Sequence, residues 1–173
     1  MGNESGNELR KELLMPSILF VCLGNICRSP AAEGVLRHMS QKEPLKDQLL
    51  IESCGLGDWH VGQLPDERMR YASKNRGFHL SSRAQQFIPA FFDRFDLILA
   101  ADHQVLDELL KHAPVAEHKR KIHLITHFSC CYPDEEIPDP YYQGDSGFEQ
   151  VLDMIEDSCR GILEFLRESR ELG

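Results

Sequence analysis

Cys22 and Arg28 are separated by five residues, Leu23-Gly24-Asn25-Ile26-Cys27. A thiolate is a strong nucleophile, and a guanidinium grips two phosphate oxygens through a planar fork. Gly24 and Asn25 tolerate unusual backbone angles, so the segment can turn tightly. Consecutive N–H groups in such a turn converge on an anion, and a helix starting at its end adds partial positive charge. The same field favours the thiolate form at Cys22, and the hydroxyl of Ser29 is placed to donate to that sulfur. One loop would then bind a phosphate dianion and hold the group that attacks it. Spacing alone is weak evidence in a chain with six cysteines. It leaves open that Cys22 merely ends a core strand and that Arg28 is a solvated surface residue.

The flanking segments supply what such a loop needs. Ser17 to Cys22 reads as a short buried strand. A helix is expected from about Ser29 to Gln41, with Ser29 as its cap and Pro30 in its first turn. Ala32, Val35, Leu36 and Met39 fall on one face of it. Further strands are expected at Leu49–Cys54, within Phe95–Ala101 and at Ile122–Ile125. Helices are expected at Asp66–Asn75, closed by Gly77, and at Asp102–His112. Residues 126–144 hold Pro133, Pro138, Pro140 and Gly144 and read as loop. Ser146 and Glu149 have capping-box spacing, and Phe148, Val151, Leu152, Ile155, Cys159, Ile162, Leu163 and Leu166 keep helical spacing behind them. Alternating strands and helices argue for an α/β fold, a parallel sheet with helices on both faces. The expected organisation is a flexible tail over residues 1–16 and one domain over residues 17–173.

Composition excludes several partner classes. Hydrophobic residues make up 42% of the 173 residues and charged residues 27%, the balance of an ordinary globular chain. The formal net charge of −9 gives no general attraction to nucleic acid or to anionic membranes, so any cationic site must be local. The cysteine spacing does not form a secreted disulfide framework. Residues 1–16 lack the apolar centre of a signal peptide, and no apolar run approaches membrane-spanning length. A cytoplasmic chain with reduced thiols, monomeric and free of membrane and nucleic acid, is expected.

Val21-Cys22-Leu23-Gly24-Asn25-Ile26-Cys27-Arg28-Ser29-Pro30 resembles the active-site loop of the low-molecular-weight protein tyrosine phosphatases. Ile51-Glu52-Ser53 and Asp58-Trp59-His60-Val61-Gly62 resemble that family's second strand and pocket-wall loop. Phe95-Asp96-Leu97-Ile98-Leu99 with Asp102 resembles its third strand and the aspartate after it. Ile137-Pro138-Asp139-Pro140-Tyr141-Tyr142 resembles its general-acid loop. The likeness runs from about residue 17 to residue 168. It implies a three-layer sandwich on a four-stranded parallel sheet, and a phosphotyrosine-containing protein or aryl phosphate as substrate, with no cofactor and no metal. It implies attack by Cys22 on phosphorus, phosphate gripped by Arg28, and proton transfer by Asp139, with turnover favoured on the acidic side. It further implies that Asn25 and Ser53 buttress the loop. Leu23, Ile26, Trp59, Tyr141 and Tyr142 would wall the aryl slot, and Cys27 would trap oxidised Cys22 as a disulfide.

Leu80-Ser81-Ser82-Arg83-Ala84-Gln85-Gln86 departs from the family pattern, which has His and Arg at the places of Ser82 and Gln85. The departure calls into question the histidine part of the loop-buttressing network. Four other readings compete. Thioredoxin-coupled arsenate reductases share the loop but need redox cysteines after the third strand, and none stands between Cys54 and Cys130. Arginine phosphatases of this fold carry Thr at the place of Ile26 and Phe at the place of Tyr141. His123, His127, Cys130 and Cys131 are zinc-ligand types, although adjacent cysteines are an awkward geometry. A loop that binds phosphotyrosine without turnover is the remaining alternative.

Overall fold

The structure, a computed structural model, describes residues 16–171. The expected tail therefore lies outside the described residues, apart from Pro16. Strands β1 (Ser17–Cys22), β2 (Leu50–Gly55), β3 (Leu97–Ala100) and β4 (Ile122–Leu124) form one sheet in the order β2-β1-β3-β4. All three pairings are parallel. A central strand of such a sheet is covered on both faces and so is apolar almost throughout. Every residue of β1 is buried.

Side chains alternate across the sheet, and the alternation makes the two cores. Ile18, Phe20 and Cys22 of β1 point into one core, which also holds Ala32, Val35, Leu36, Phe148 and Ile155. Leu19 and Val21 point into the other, with Phe91, Phe92, Phe95, Val105 and Leu109. The first core lies under α1 (Arg28–Ser40) and α6 (Asp145–Glu171), and the second under α3 (Phe91–Arg94) and α4 (His103–His112). The three-layer arrangement expected from the sequence is thus the observed one.

The chain places β2 on one side of β1 and then returns to place β3 on the other. That reversal opens a crevice at the carboxyl ends of β1 and β3, where ligands of open parallel sheets bind. Cys22 ends β1, and Asp102 caps α4 just beyond β3.

Local signals account for most boundaries. Helix α2 (Glu67–Asn75) is capped by Asp66, whose side chain accepts from the Arg68 N–H at 2.8 Å. Gly77 follows it at φ 87°, the left-handed closing position expected of it. Arg76 ties α2 to α6 through Glu149, Asp153 and Glu156. Helix α6 buries the periodic residues expected of it, but it starts at Asp145. Ser146 therefore lies inside the first turn and is not its cap. Helices α3 and α5 (Ala116–Lys119) and the 3-10 turns at Lys46–Gln48 and Ile125–Phe128 are not among the elements expected from the sequence. A single turn carries no periodicity to read. The 3-10 turn at Ile125–Phe128 takes the first residues of the expected 126–144 loop.

Candidate active site

The segment between β1 and α1 is pinned from outside by its carbonyl groups. Cys22 O accepts from Leu56 N–H and Leu23 O from Gly57 N–H, each at 3.0 Å. Ile26 O accepts from Asp66 N–H at 2.7 Å, which fixes the loop to the start of α2. With the carbonyls drawn outward, the amides are left for the interior. Among the described residues, the N–H groups of Leu23, Gly24, Ile26 and Cys27 meet no acceptor. Asn25 reaches this turn at φ 58°, left-handed backbone that asparagine adopts more readily than most residues. Gly55 makes the close packing feasible, since a Cβ there would stand 2.9 Å from the Gly24 carbonyl carbon.

The Cys22 sulfur lies 2.9 Å from Ser29 Oγ and accepts from the Asn25 N–H at 3.3 Å. Ser29 was expected to cap α1. The helix begins at Arg28, with Cys27 at the cap position and no side-chain cap bond, so the Ser29 hydroxyl is free to face the sulfur. Asn25 Nδ2 donates to Ser29 Oγ at 2.8 Å and to Ser53 Oγ at 3.0 Å. The buttressing role expected of Asn25 and Ser53 thus has a geometric basis. The network is completed where the sequence departs from the family pattern. Gln85 N–H donates to Asn25 Oδ1 at 2.9 Å, and the Gln85 amide donates to Ser53 O at 2.9 Å.

Arg28 is 3% exposed, which is incompatible with a solvated surface residue. Its Nη1 donates to Asp102 Oδ2 at 2.6 Å and to Ile137 O at 2.9 Å. Both Nη1 hydrogens are thereby used, and the Nε and Nη2 hydrogens remain for an anion. Asp139 Oδ2 is 3.8 Å from Nη2, on a side chain 45% exposed at the cleft mouth. The Tyr141 N–H donates to Asp139 Oδ1 at 3.1 Å, which orients that carboxyl.

These groups share a cleft of about 430 Å³ lined by Cys22, Leu23, Ile26, Arg28, Asp139 and Tyr141, with Gly24, Cys27, Trp59, His60 and Tyr142 completing it. Leu23 and Ile26 are half-buried in its wall. Gly57 gives Trp59 its place, because a Cβ there would overlap the indole ring. Tyr142 is 93% exposed and so belongs to the rim of the slot. Tyr141 lies over Arg68, whose guanidinium carbon is 5.3 Å from the Tyr141 ring centre and 4.8 Å from that of Phe148. Cys27 is buried, and burial with the nearby Asp66 charge pushes its thiol far up, so it stays protonated.

The zinc-type residues do not assemble. The His123 and His127 rings stack 4.7 Å apart, His127 Nδ1 pairs with Asp134 at 3.0 Å, and Cys130 and Cys131 are exposed. Among the described residues no group of three such side chains is placed to hold a metal ion. No sequence signal marks Glu33, Arg68 or the carbonyl of Ile137, and His60, Gln85 and Asp102 are named in the sequence without the roles seen here. The family resemblance pointed to Asp102, and its place just past the carboxyl end of a parallel strand agrees with a site role.

Comparison with known proteins agrees with this arrangement. The family model described as low molecular weight phosphotyrosine protein phosphatase matches residues 17–172. A low molecular weight phosphotyrosine protein phosphatase of Sus scrofa is 38% identical over 90% of this chain and 99% of its own length. The crystal structure of a protein tyrosine phosphatase from Entamoeba histolytica, with Hepes in its active site, superposes at a TM-score of 0.85. It is 40% identical over 88% of this chain and 97% of that one. A structure described as a Drosophila arginine phosphatase is 35% identical over 86% of this chain and 96% of that one, at a TM-score of 0.77. With a match that spans both the loop after β1 and the Asp139 segment, the chain belongs to the low-molecular-weight protein tyrosine phosphatases.

Proposed function

We propose that the chain hydrolyses phosphotyrosine in protein substrates through a phosphocysteine on Cys22, with Asp139 as acid and then base. The observation that carries this is the convergence on one cleft of the Cys22 sulfur, the Arg28 fork and the Asp139 carboxyl. The phosphate dianion is received by the inward amides of the loop and by the free Nε and Nη2 hydrogens of Arg28. Cys22 Sγ attacks phosphorus, the S–P bond forms and the P–O bond to the aryl group breaks. Asp139, protonated at this stage, gives its proton to the departing phenolate oxygen. Water then attacks the phosphocysteine and gives a proton to Asp139. The S–P bond breaks, phosphate leaves, and Ser29 donates to the returning thiolate.

Charge builds on the phosphoryl oxygens, and the donors that meet it are already oriented. Preorganised donors of this kind are the largest catalytic term in many enzymes. Leu23, Ile26, Trp59 and Tyr141 give the slot apolar and aromatic surfaces that suit a phenyl ring. Ile26 and Tyr141 also favour phosphotyrosine over phosphoarginine, since arginine phosphatases of this fold differ at both places.

Hydrolysis of p-nitrophenyl phosphate in excess EDTA, comparing the intact protein with Cys22→Ser, tests the proposal. Turnover that resists EDTA and vanishes in the variant supports it. Appreciable activity in Cys22→Ser, or none in the freshly reduced intact protein, overturns it. Parallel assays on phosphotyrosine and phosphoarginine peptides separate the two substrate classes.

A further inference from the structure

One buried charged group behind the loop has no part in these steps. Glu33 lies on α1 and is 4% exposed. Ser53 Oγ donates to its Oε1 at 2.9 Å, and Arg37 Nη1 stands 3.3 Å from its Oε2. Burying a carboxylate is costly, and a single half-exposed arginine offsets only part of the cost. Burial lifts the Glu33 carboxyl above its ordinary value, with Glu52 adding to the rise and Arg37, Ser53 and Ser82 opposing it.

The hydrogen bonds around it have a fixed direction. A backbone N–H only donates, so Asn25 Oδ1 must be the atom that faces Gln85 N–H. Asn25 Nδ2 then faces both hydroxyls and donates to each. Ser53 Oγ, accepting from Nδ2, sends its own hydrogen to the Glu33 carboxylate. Ser29 Oγ, accepting likewise, sends its hydrogen to the Cys22 sulfur at 2.9 Å or, less closely, to Cys54 O at 3.3 Å. Gln85 and Glu33 thus hold the two ends of one amide. If the Glu33 carboxyl gave a hydrogen to Ser53, the Ser53 hydrogen would turn toward Asn25 and oppose Nδ2. The amide would then lose the constraint that keeps its N–H groups toward Ser29.

We propose that Glu33 is a positioning residue for the nucleophile: through Ser53 it locks the Asn25 amide so that Ser29 donates to the Cys22 sulfur. The inference rests on Cys22 being the nucleophile, but its test reads the sulfur directly. The rate of Cys22 alkylation by iodoacetamide is followed across pH by peptide mass spectrometry, in the intact protein, Glu33→Gln, Ser53→Ala and the double variant. Glu33→Gln is expected to move the alkylation midpoint to higher pH and to lower kcat on p-nitrophenyl phosphate roughly tenfold, the worth of one misdirected hydrogen bond to a charged group, with KM changed less than about twofold. Ser53→Ala, which leaves Glu33 in place, is expected to shift the midpoint the same way. Adding Glu33→Gln to it should then have little further effect. An unchanged alkylation profile in Ser53→Ala, or an undiminished Glu33→Gln effect in that background, overturns the inference. Should the intact protein hydrolyse no phosphate ester, the proposed activity fails while the alkylation series still decides the role of Glu33.

Discussion

Arg28 is held from behind by Asp102, Nη1 to Oδ2 at 2.6 Å, so the guanidinium presents its other edge to the cleft. Asp102 also caps α4, its Oδ1 accepting from the Val105 N–H at 2.9 Å. The two duties separate by mutation. Asn is as good a cap as Asp, so Asp102→Asn keeps the cap and loses only the charge opposite the buried Arg28, lowering kcat/KM about tenfold. Asp102→Ala should lose about 1 kcal/mol of stability as well. Arg28→Lys loses the fork altogether and should cost roughly 10²–10⁴-fold in kcat/KM, two hydrogen bonds to a charged group. Steady-state kinetics with thermal melts decide the matter. Equal activity in Asp102→Asn and the intact protein would show that the rear contact does not orient Arg28.

Asp139 stands at the mouth, where a leaving oxygen departs. Asp139→Ala is expected to slow hydrolysis of phosphotyrosine or phenyl phosphate by roughly 10²–10⁴-fold, the usual worth of a positioned proton donor. p-Nitrophenyl phosphate, whose leaving group needs little protonation, should suffer far less. A series of substituted phenyl phosphates measures this as a steeper dependence on leaving-group pKa in the variant. An equal loss across the series would rule out a general acid.

Arg68 forms the seam between the cleft and α6. Asp66 holds its Nε and Nη2 at 3.1 and 2.9 Å, and its guanidinium carbon lies over both the Tyr141 and the Phe148 rings. Arg68→Ala removes that support from the aromatic wall. Exposed cation–π contacts are worth about 0.5–1 kcal/mol, so KM for aryl phosphates should rise about two- to fivefold at nearly constant kcat. A fall in kcat with constant KM would instead place Arg68 with the reacting groups.

Mild peroxide is expected to join Cys22 to Cys27, both of which line the cleft. The Cys22 thiolate is oxidised to the sulfenic acid, and the Cys27 thiol then displaces water to give the disulfide. Peptide mapping of the oxidised protein should show that single crosslink and thiol reductants should restore activity. A different partner, or sulfinic acid at Cys22 in its place, would remove the protective role of Cys27.

How much of this was legible in the sequence follows from how far apart the interacting residues are. Cys22, Arg28 and Ser29 lie on one continuous segment, so strand, turn and helix signals located them together. Helix α6 announced itself by the period of its apolar residues from Phe148 to Leu166, whereas the four-residue α3 had no period to show. Asp139 is one loop acid among 28 Asp and Glu residues, and only the likeness of its whole segment singled it out. The partners that hold the site come from remote positions: Asp102 is 74 residues from Arg28, and Gln85 is 60 from Asn25. Glu33 carries no signal in the sequence, and its burial is seen only once α1 packs against the rest of the fold. The Ser82–Gln85 departure looked like a gap in the network. Gln85 fills it with its side-chain amide, to Ser53 O, and with its backbone N–H, to Asn25 Oδ1, and the second of these no residue type reveals.

Glu33 also makes a prediction about stability that a purely structural residue would not meet. Its folded-state pKa is raised, chiefly by burial. Below the ordinary glutamate range the group is neutral both folded and unfolded, and its ionisation costs nothing. As pH rises above about 4.3, the unfolded chain ionises first, and the folded state loses stability relative to it until the raised folded pKa is passed. Glu33→Gln, which never ionises, should therefore gain stability over the intact protein as pH rises from about 4 to 7. Melting temperatures of the two proteins at both ends of that range measure the gain. A variant that is more stable yet slower at neutral pH would mean that the carboxylate is kept for the sulfur it orients, at a cost to the fold. A variant that loses stability as pH rises would mean instead that the Arg37 pair holds α1 to the sheet and that the charge serves packing.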